Sequence, residues 1–235
     1  MIKYNKYKLY YNISHVIRYV IKPINIINNK FKTTVLIING GSFIGDDFFD
    51  YFISSYIKKY HPTSNIISLS YTRSINFDSI ISSAKKKLEN LKKFFPIITH
   101  VYSHSAGCSI TVALTKYFSF PNIILISPYL SWNDKIKSNN KSKIDIILPQ
   151  SVNHIKKLLK INIIKYLDLS NFTNFTNSNI IIFVGSNEVL FDDTLEFCKA
   201  NKIDDKNINI LDDKIHGFPM WLLESNFDIT SLFIL

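Results

Sequence analysis

Cysteine is almost absent: Cys108 and Cys198 are the only two in 235 residues. One bridge between them is possible, but two thiols in so long a chain fit a reducing compartment better than a disulfide framework. The chain has no Cys-x-x-Cys and no His-Glu pair at ligand spacing, so no metal site is expected. It also lacks a long charge-free apolar run. From Met1 to Lys30 the Ile and Val clusters are broken by Lys3, Lys6, Lys8, Arg18 and Lys22, and no small-residue cleavage site follows. That argues against both a transmembrane span and a signal peptide. The expected location is intracellular, cytoplasmic or peripheral at a membrane. Tripeptides such as Asn12-Ile13-Ser14 match the glycosylation pattern, but a chain so rich in Asn produces them by chance.

Glycine is scarce too, at six residues, and alanine and arginine are few beside abundant Ile, Asn, Lys, Tyr and Phe. This is the footprint of AT-rich coding and carries little chemistry. The same bias inflates lysine and accounts for the formal net charge of +10. That charge gives some attraction to anionic surfaces. The lysines are scattered as pairs and triplets, as in Lys85-Lys86-Lys87, with no Arg-rich arm and no interleaved aromatics, so nucleic acid is not an expected partner. Hydrophobic residues at 46% and charged residues at 20% are ordinary for a folded globular chain. The length suits one α/β domain over residues 1–235.

From residue 33 strand-like and helix-like blocks alternate, the pattern of a mostly parallel sheet with helices on both faces. Thr33 to Asn39 reads as a buried strand ending in the Gly40-Gly41 turn. Asp46 and Asp47 stand where helix N-caps belong, and Phe48, Phe49, Phe52, Ile53, Tyr56, Ile57 and Tyr60 then recur at helical spacing until His61-Pro62 stops them. Asn65 to Tyr71 is a second strand. Phe77, Ile80, Ile81, Ala84, Leu88, Leu91 and Phe95 form the stripe of a second helix. Ile97 to Tyr102 is a third strand running into Ser103-His104-Ser105-Ala106-Gly107, with a helix predicted over Cys108–Phe118. Strands follow at Asn122–Ser127, Asn179–Val184 and Asn207–Leu211, a helix at Thr194–Ala200, and a closing helix around Trp221, Leu222, Leu223, Phe227 and Leu232. The stretch 131–178 breaks the rhythm. It is polar, with one basic amphipathic piece around Val152, Ile155, Leu158 and Leu159, and reads equally as a small lid or as a surface excursion.

A serine hydroxyl needs a base, a group that orients the base, and N–H donors for the oxyanion. Ser105 sits in a strand-to-helix turn between small neighbours, Ser103, Ala106 and Gly107, as a strained elbow requires. His216 comes just after the last strand, beside Gly217. His15, His61, His100, His104 and His154 compete with it. His104 is expected to be a wall or support residue and His100 a satisfied strand residue. Glu188, Asp192 and Asp193 follow the fifth strand, and the latter two also suit a helix N-cap.

Ser-His-Ser-Ala-Gly resembles the G-x-S-x-G elbow of α/β-hydrolases. Asn39-Gly40-Gly41-Ser42-Phe43 resembles the H-G-G-G-F oxyanion loop of the hormone-sensitive-lipase-like branch, fold-3. Gly185-Ser186-Asn187-Glu188-Val189-Leu190-Phe191-Asp192-Asp193 is similar to that branch's G-x-x-D/E-x-L-x-D-D segment, and His216-Gly217-Phe218 to its H-G-F motif. The four segments come in the family's order over roughly residues 33 to 220. Asn39, Ser42 and Ser103 depart from the pattern. The resemblance implies an α/β-hydrolase fold with Ser105 as nucleophile, His216 as base and Glu188 as acid. It places the oxyanion donors at the Gly40, Gly41 and Ala106 N–H groups. It also implies carboxylic esters, lipid-type included, as substrates, with no cofactor; a basic amphipathic piece is compatible with peripheral contact to anionic membranes. Thioesterase or amidase chemistry would use the same residues. A catalytically silent small-ligand-binding protein on this scaffold is the alternative, and such proteins typically lose a triad member or an oxyanion glycine.

Overall fold

The structure is a computed structural model and describes residues 25–41, 54, 57–130, 145, 166–167, 175 and 177–216. The segments carrying Asp46 and Asp47, the Val152–Leu159 piece, the closing helix, His15 and His154 lie outside the described residues. So do Ser42, Phe43, Gly217 and Phe218 of the motifs.

Six strands form one sheet: β1 (Thr33–Ile38), β2 (Ser64–Ser68), β3 (Ile97–His104), β4 (Asn122–Ile126), β5 (Asn179–Gly185) and β6 (Ile208–Leu211). Their order is β2-β1-β3-β4-β5-β6, and every pair is parallel. A parallel sheet is buried on both faces, so its strands read as continuous apolar runs such as Val35-Leu36-Ile37-Ile38. The two-residue period sorts these side chains. Leu36, Ile38, Val101, Ile123, Leu125 and Ile182 pack with helices α1 (Phe77–Phe94), α2 (Ala106–Leu114) and α3 (Phe191–Ala200). Val35, Ile37, Tyr102, Ile124, Ile126 and Phe183 point the other way, where Ile57 of the helical turn at 57–60 covers them. The expected α/β architecture on a parallel sheet is therefore present, with α1, α2 and α3 on one face and the helical residues 57–60 on the other.

Several boundaries differ from the sequence expectation. The second strand ends at Ser68 rather than Tyr71. The third continues two residues further, so that it runs up to Ser105 itself. The helix expected over Cys108–Phe118 spans Ala106–Leu114. It starts as soon as the elbow is turned, and all nine of its residues are buried, which makes it the central helix of the packing. The helix expected from Thr194 begins at Phe191, with Leu190 at the N-cap and no side-chain cap bond. Asp192 and Asp193 thus lie inside its first turn, where their charge favours the positive end of the helix dipole.

Successive connections from β1 run outward to β2 and then back across to β3. The carboxyl ends of β1 and β3 therefore flank a topological switch point, the place where open α/β sheets leave a crevice. Gly40-Gly41 leaves one of those ends and Ser105 the other. Among the described residues no helix is long and apolar enough to cross a membrane.

Candidate active site

The turn at Ser105 is held by backbone. Its N–H donates to the Ile126 carbonyl at 3.1 Å, and its own carbonyl accepts from Cys108 and Tyr129 N–H groups, each at 3.0 Å. These bonds fix φ at 52° and ψ at −123°, a conformation that costs a non-glycine residue roughly 1–3 kcal/mol. Gly107 backs onto the end of β1, where a larger residue has no room. Ser103, which stands where a G-x-S-x-G elbow has its first glycine, is accommodated by a buried bond: its hydroxyl donates to Thr111 Oγ1 at 2.5 Å, while the Thr111 proton goes to the Gly107 carbonyl at 3.0 Å.

Ser105 Oγ lies 3.0 Å from His216 Nε2, although 111 positions separate them in sequence. On the far side of the ring, Nδ1 is 3.2 Å from Glu188 Oε2. The other carboxylate oxygen of Glu188 accepts from the Gly185 N–H at 2.7 Å and the Ser127 hydroxyl at 2.8 Å. Both oxygens are therefore engaged and the carboxylate cannot swing away. Exposure is 6% at Ser105, 3% at His216 and 1% at Glu188, so little water competes for these bonds. With the Nδ1 proton directed at Glu188, Nε2 is left as the acceptor facing the serine hydroxyl.

Ala106 is the first residue of α2, whose leading N–H groups have no partner within the helix. Gly40 and Gly41 follow β1 after Asn39, and Gly41 takes φ 92°, a backbone state that favours glycine. The Tyr71 hydroxyl lies 2.8 Å from both the Asn39 and the Gly40 carbonyl oxygens, which fixes the peptide planes of this loop.

The sequence residues Ser105, Glu188 and His216 thus meet, and Gly40, Gly41 and Ala106 stand at the adjoining strand and helix ends. Asp192 and Asp193 do not join them; Asp193 is buried in α3. His104 is buried, with its ring 5.5 Å from that of His216. His100 sits in β3 with its ring 4.4 Å from His61 and Nδ1 3.0 Å from Thr99 Oγ1. Both cysteines are buried and unbridged, and burial, with Asp205 adding to it, pushes the Cys198 thiol up to about 12, far from a reactive thiolate. Among the described residues no group of three or more His, Cys, Asp or Glu side chains could hold a metal ion.

Sequence reasoning did not single out Ser127, Tyr71 or Asp145. Asp145 carried a signal: it is a carboxylate between Ile144 and Ile146-Ile147, an unusual place for an exposed charge. Ser127 adopts φ 46° at the end of β4, and nothing in its local sequence announces that.

By sequence, no family model matches the chain, and a search of curated proteins finds no match. Solved structures do match. A hormone-sensitive lipase from a metagenome library superposes with a TM-score of 0.68 at 18% identity, over 89% of this chain and 77% of that one. A hormone-sensitive-lipase homologue from a metagenome library gives 0.68 at 18% identity, over 89% and 78%. A putative esterase from Staphylococcus aureus gives 0.64 at 17% identity, over 81% and 70%. The chain shares the fold of these structures, an α/β fold built on a six-stranded, all-parallel sheet that matches α/β-hydrolase structures.

Proposed function

We propose that this chain is a serine hydrolase that cleaves carboxylic esters, lipid-type esters among them, through an acyl-enzyme. The observation that carries the reading is the buried line Ser105–His216–Glu188, with contacts of 3.0 and 3.2 Å. His216 Nε2 takes the hydroxyl proton as Ser105 Oγ attacks the ester carbonyl carbon. The imidazolium so formed is oriented and stabilised by Glu188, which remains a carboxylate. The carbonyl oxygen becomes an oxyanion facing the Gly40, Gly41 and Ala106 N–H groups, and each such donor contributes about 10²–10³-fold in rate. The tetrahedral species collapses by breaking the C–O bond to the alcohol, which leaves with the proton from His216. Water then enters and gives a proton to the same Nε2 as its oxygen bonds the acyl carbon; the bond from that carbon to Ser105 Oγ breaks, Oγ takes the proton back from His216, and the acid leaves. The dipole of α2 adds positive potential where the oxyanion develops.

Ser105→Ala tests the reading. Turnover of nitrophenyl esters should fall by about 10⁶-fold, and labelling by a fluorophosphonate should vanish. Undiminished turnover in that variant would overturn it. Nitrophenyl esters of increasing acyl length then separate an esterase from a lipase.

A further inference from the structure

One carboxylate outside the Ser105–His216–Glu188 line touches the backbone of two of its carriers. Asp145 is 4% exposed, and it comes from the 131–178 stretch, far in sequence from both partners. Its Oδ2 accepts from the Val189 N–H at 2.7 Å, and its Oδ1 accepts from the His216 N–H at 3.0 Å. Val189 is the residue after Glu188. A single side chain therefore bridges the loop that supplies the acid and the loop that supplies the base.

These two loops are also joined on another side, by backbone and by the side chains of Ser186, whose Oγ accepts from the Asp213 N–H at 3.0 Å, and Asn187, whose Nδ2 donates to Asp213 Oδ1 at 3.4 Å. The Asn187 N–H donates to the Lys214 carbonyl at 3.0 Å, and the Ser186 N–H to Leu211 at 2.9 Å. Those bonds fix the loop stems. At the level of the reacting side chains, the bridge is Asp145. Hydrogen bonds to an ionised carboxylate are roughly twice as strong as neutral ones, and a planar carboxylate with one oxygen on each loop sets their separation. Displacing reacting groups by about 1 Å can cost about 10²-fold in rate.

We propose that Asp145 is a positioning residue, whose carboxylate clamps Val189 to His216 and so aligns the imidazole between Glu188 and Ser105. The proposal rests on the hydrolase reading of the site. It also assigns the 131–178 stretch a task at the catalytic line, apart from any role as a lid.

The test compares wild type with Asp145→Asn and Asp145→Ala. Asn keeps one acceptor oxygen and turns an NH₂ toward the other N–H; Ala keeps neither. The expected result for nitrophenyl acetate is a graded loss of kcat, about 10²-fold for D145A and less for D145N, with KM within about twofold of wild type. The proton NMR signal of His216 Nδ1–H should move upfield in the same order as its bond to Glu188 loosens. Wild-type kcat in D145A would overturn the proposal. So would a loss of kcat and KM together with an unmoved Nδ1 proton, which is the signature of a merely structural carboxylate. If D145A does not fold, D145N decides by the same two readouts. A wild type that neither hydrolyses esters nor takes a fluorophosphonate label sinks the hydrolase reading instead, and the Nδ1 comparison still decides the role of Asp145.

Discussion

Gly107 and Ile38 are in backbone contact: a β-carbon on Gly107 would stand 2.2 Å from the Ile38 carbonyl oxygen and 2.5 Å from that of Asn39. Helix α2 can lie this close to the end of β1 because position 107 has no side chain. The contact sets how near Ser105 and Ala106 come to Gly40 and Gly41.

Gly107→Ala must therefore push α2 away from β1. Backbone atoms do not yield as flexible side chains do, and overpacking of this kind costs about 1–3 kcal/mol. For a chain of this size that corresponds to about 2–4 °C in Tm for each kcal/mol. Under the proposed function, nitrophenyl-ester turnover should fall further than the Tm shift explains, since Ser105 moves relative to Gly40 and Gly41. A thermal melt and a kcat measurement on the same preparation check this. Unchanged values for both would mean that the close approach does not constrain the site.

Glu188 and Asp192 are four residues apart, and their surroundings assign them different tasks. Glu188 receives Gly185 N–H, Ser127 O–H and His216 Nδ1. Asp192 is partly exposed in the first turn of α3. Glu188→Gln offers one carbonyl oxygen where two carboxylate oxygens were used, and turns an NH₂ toward a donor. The imidazole then loses its anchor and its preferred tautomer. The expected fall in kcat is about 10⁴-fold, the scale seen when a triad acid becomes an amide. Asp192→Asn should leave kcat within about twofold, as for other partly exposed substitutions away from key features. Equal effects at the two positions would count against Glu188 as the acid.

The sheet was legible because a parallel strand buried on both faces leaves an unmistakable apolar run, as in Ile123-Ile124-Leu125-Ile126. Ser105, Glu188 and His216 were legible because each lies in a short motif fixed by local backbone needs: an elbow, a strand end and a loop after the last strand. Supporting residues were harder to read. Ser127, Tyr71 and Asp145 act on partners 61, 32 and 71 positions away, through bonds that no local spacing encodes. Helix starts were misplaced where the backbone, not a capping side chain, makes the cap. At Leu190 no side-chain cap exists to be read, and the first turn holds acidic residues that look like caps in sequence.

His61 and His100 form a second histidine pair, away from the Ser105–His216–Glu188 line. His61 Nε2 is 3.1 Å from the Tyr102 hydroxyl. Burial lowers the pKa of His61, while burial and then the neighbouring His61 charge lower that of His100 to about 4. An unfolded histidine titrates near 6.5. Below about pH 6.5 the unfolded chain therefore binds protons that the folded chain refuses, and linkage makes stability fall with pH. The contribution is fully present above pH 6.5 and drains away down to about pH 4, where the folded His100 takes its proton as well. Both rings are partly solvated, so the slope is well below the full ~1.4 kcal/mol per pH unit for each group. Tm should decline across this window in the wild type. His100→Asn, which cannot titrate and leaves the Ser105 region untouched, should decline less steeply and keep wild-type kcat at pH 8. Melting curves at half-unit steps from pH 7 to 4 measure the two slopes. Parallel curves would place the acid sensitivity elsewhere in the protein.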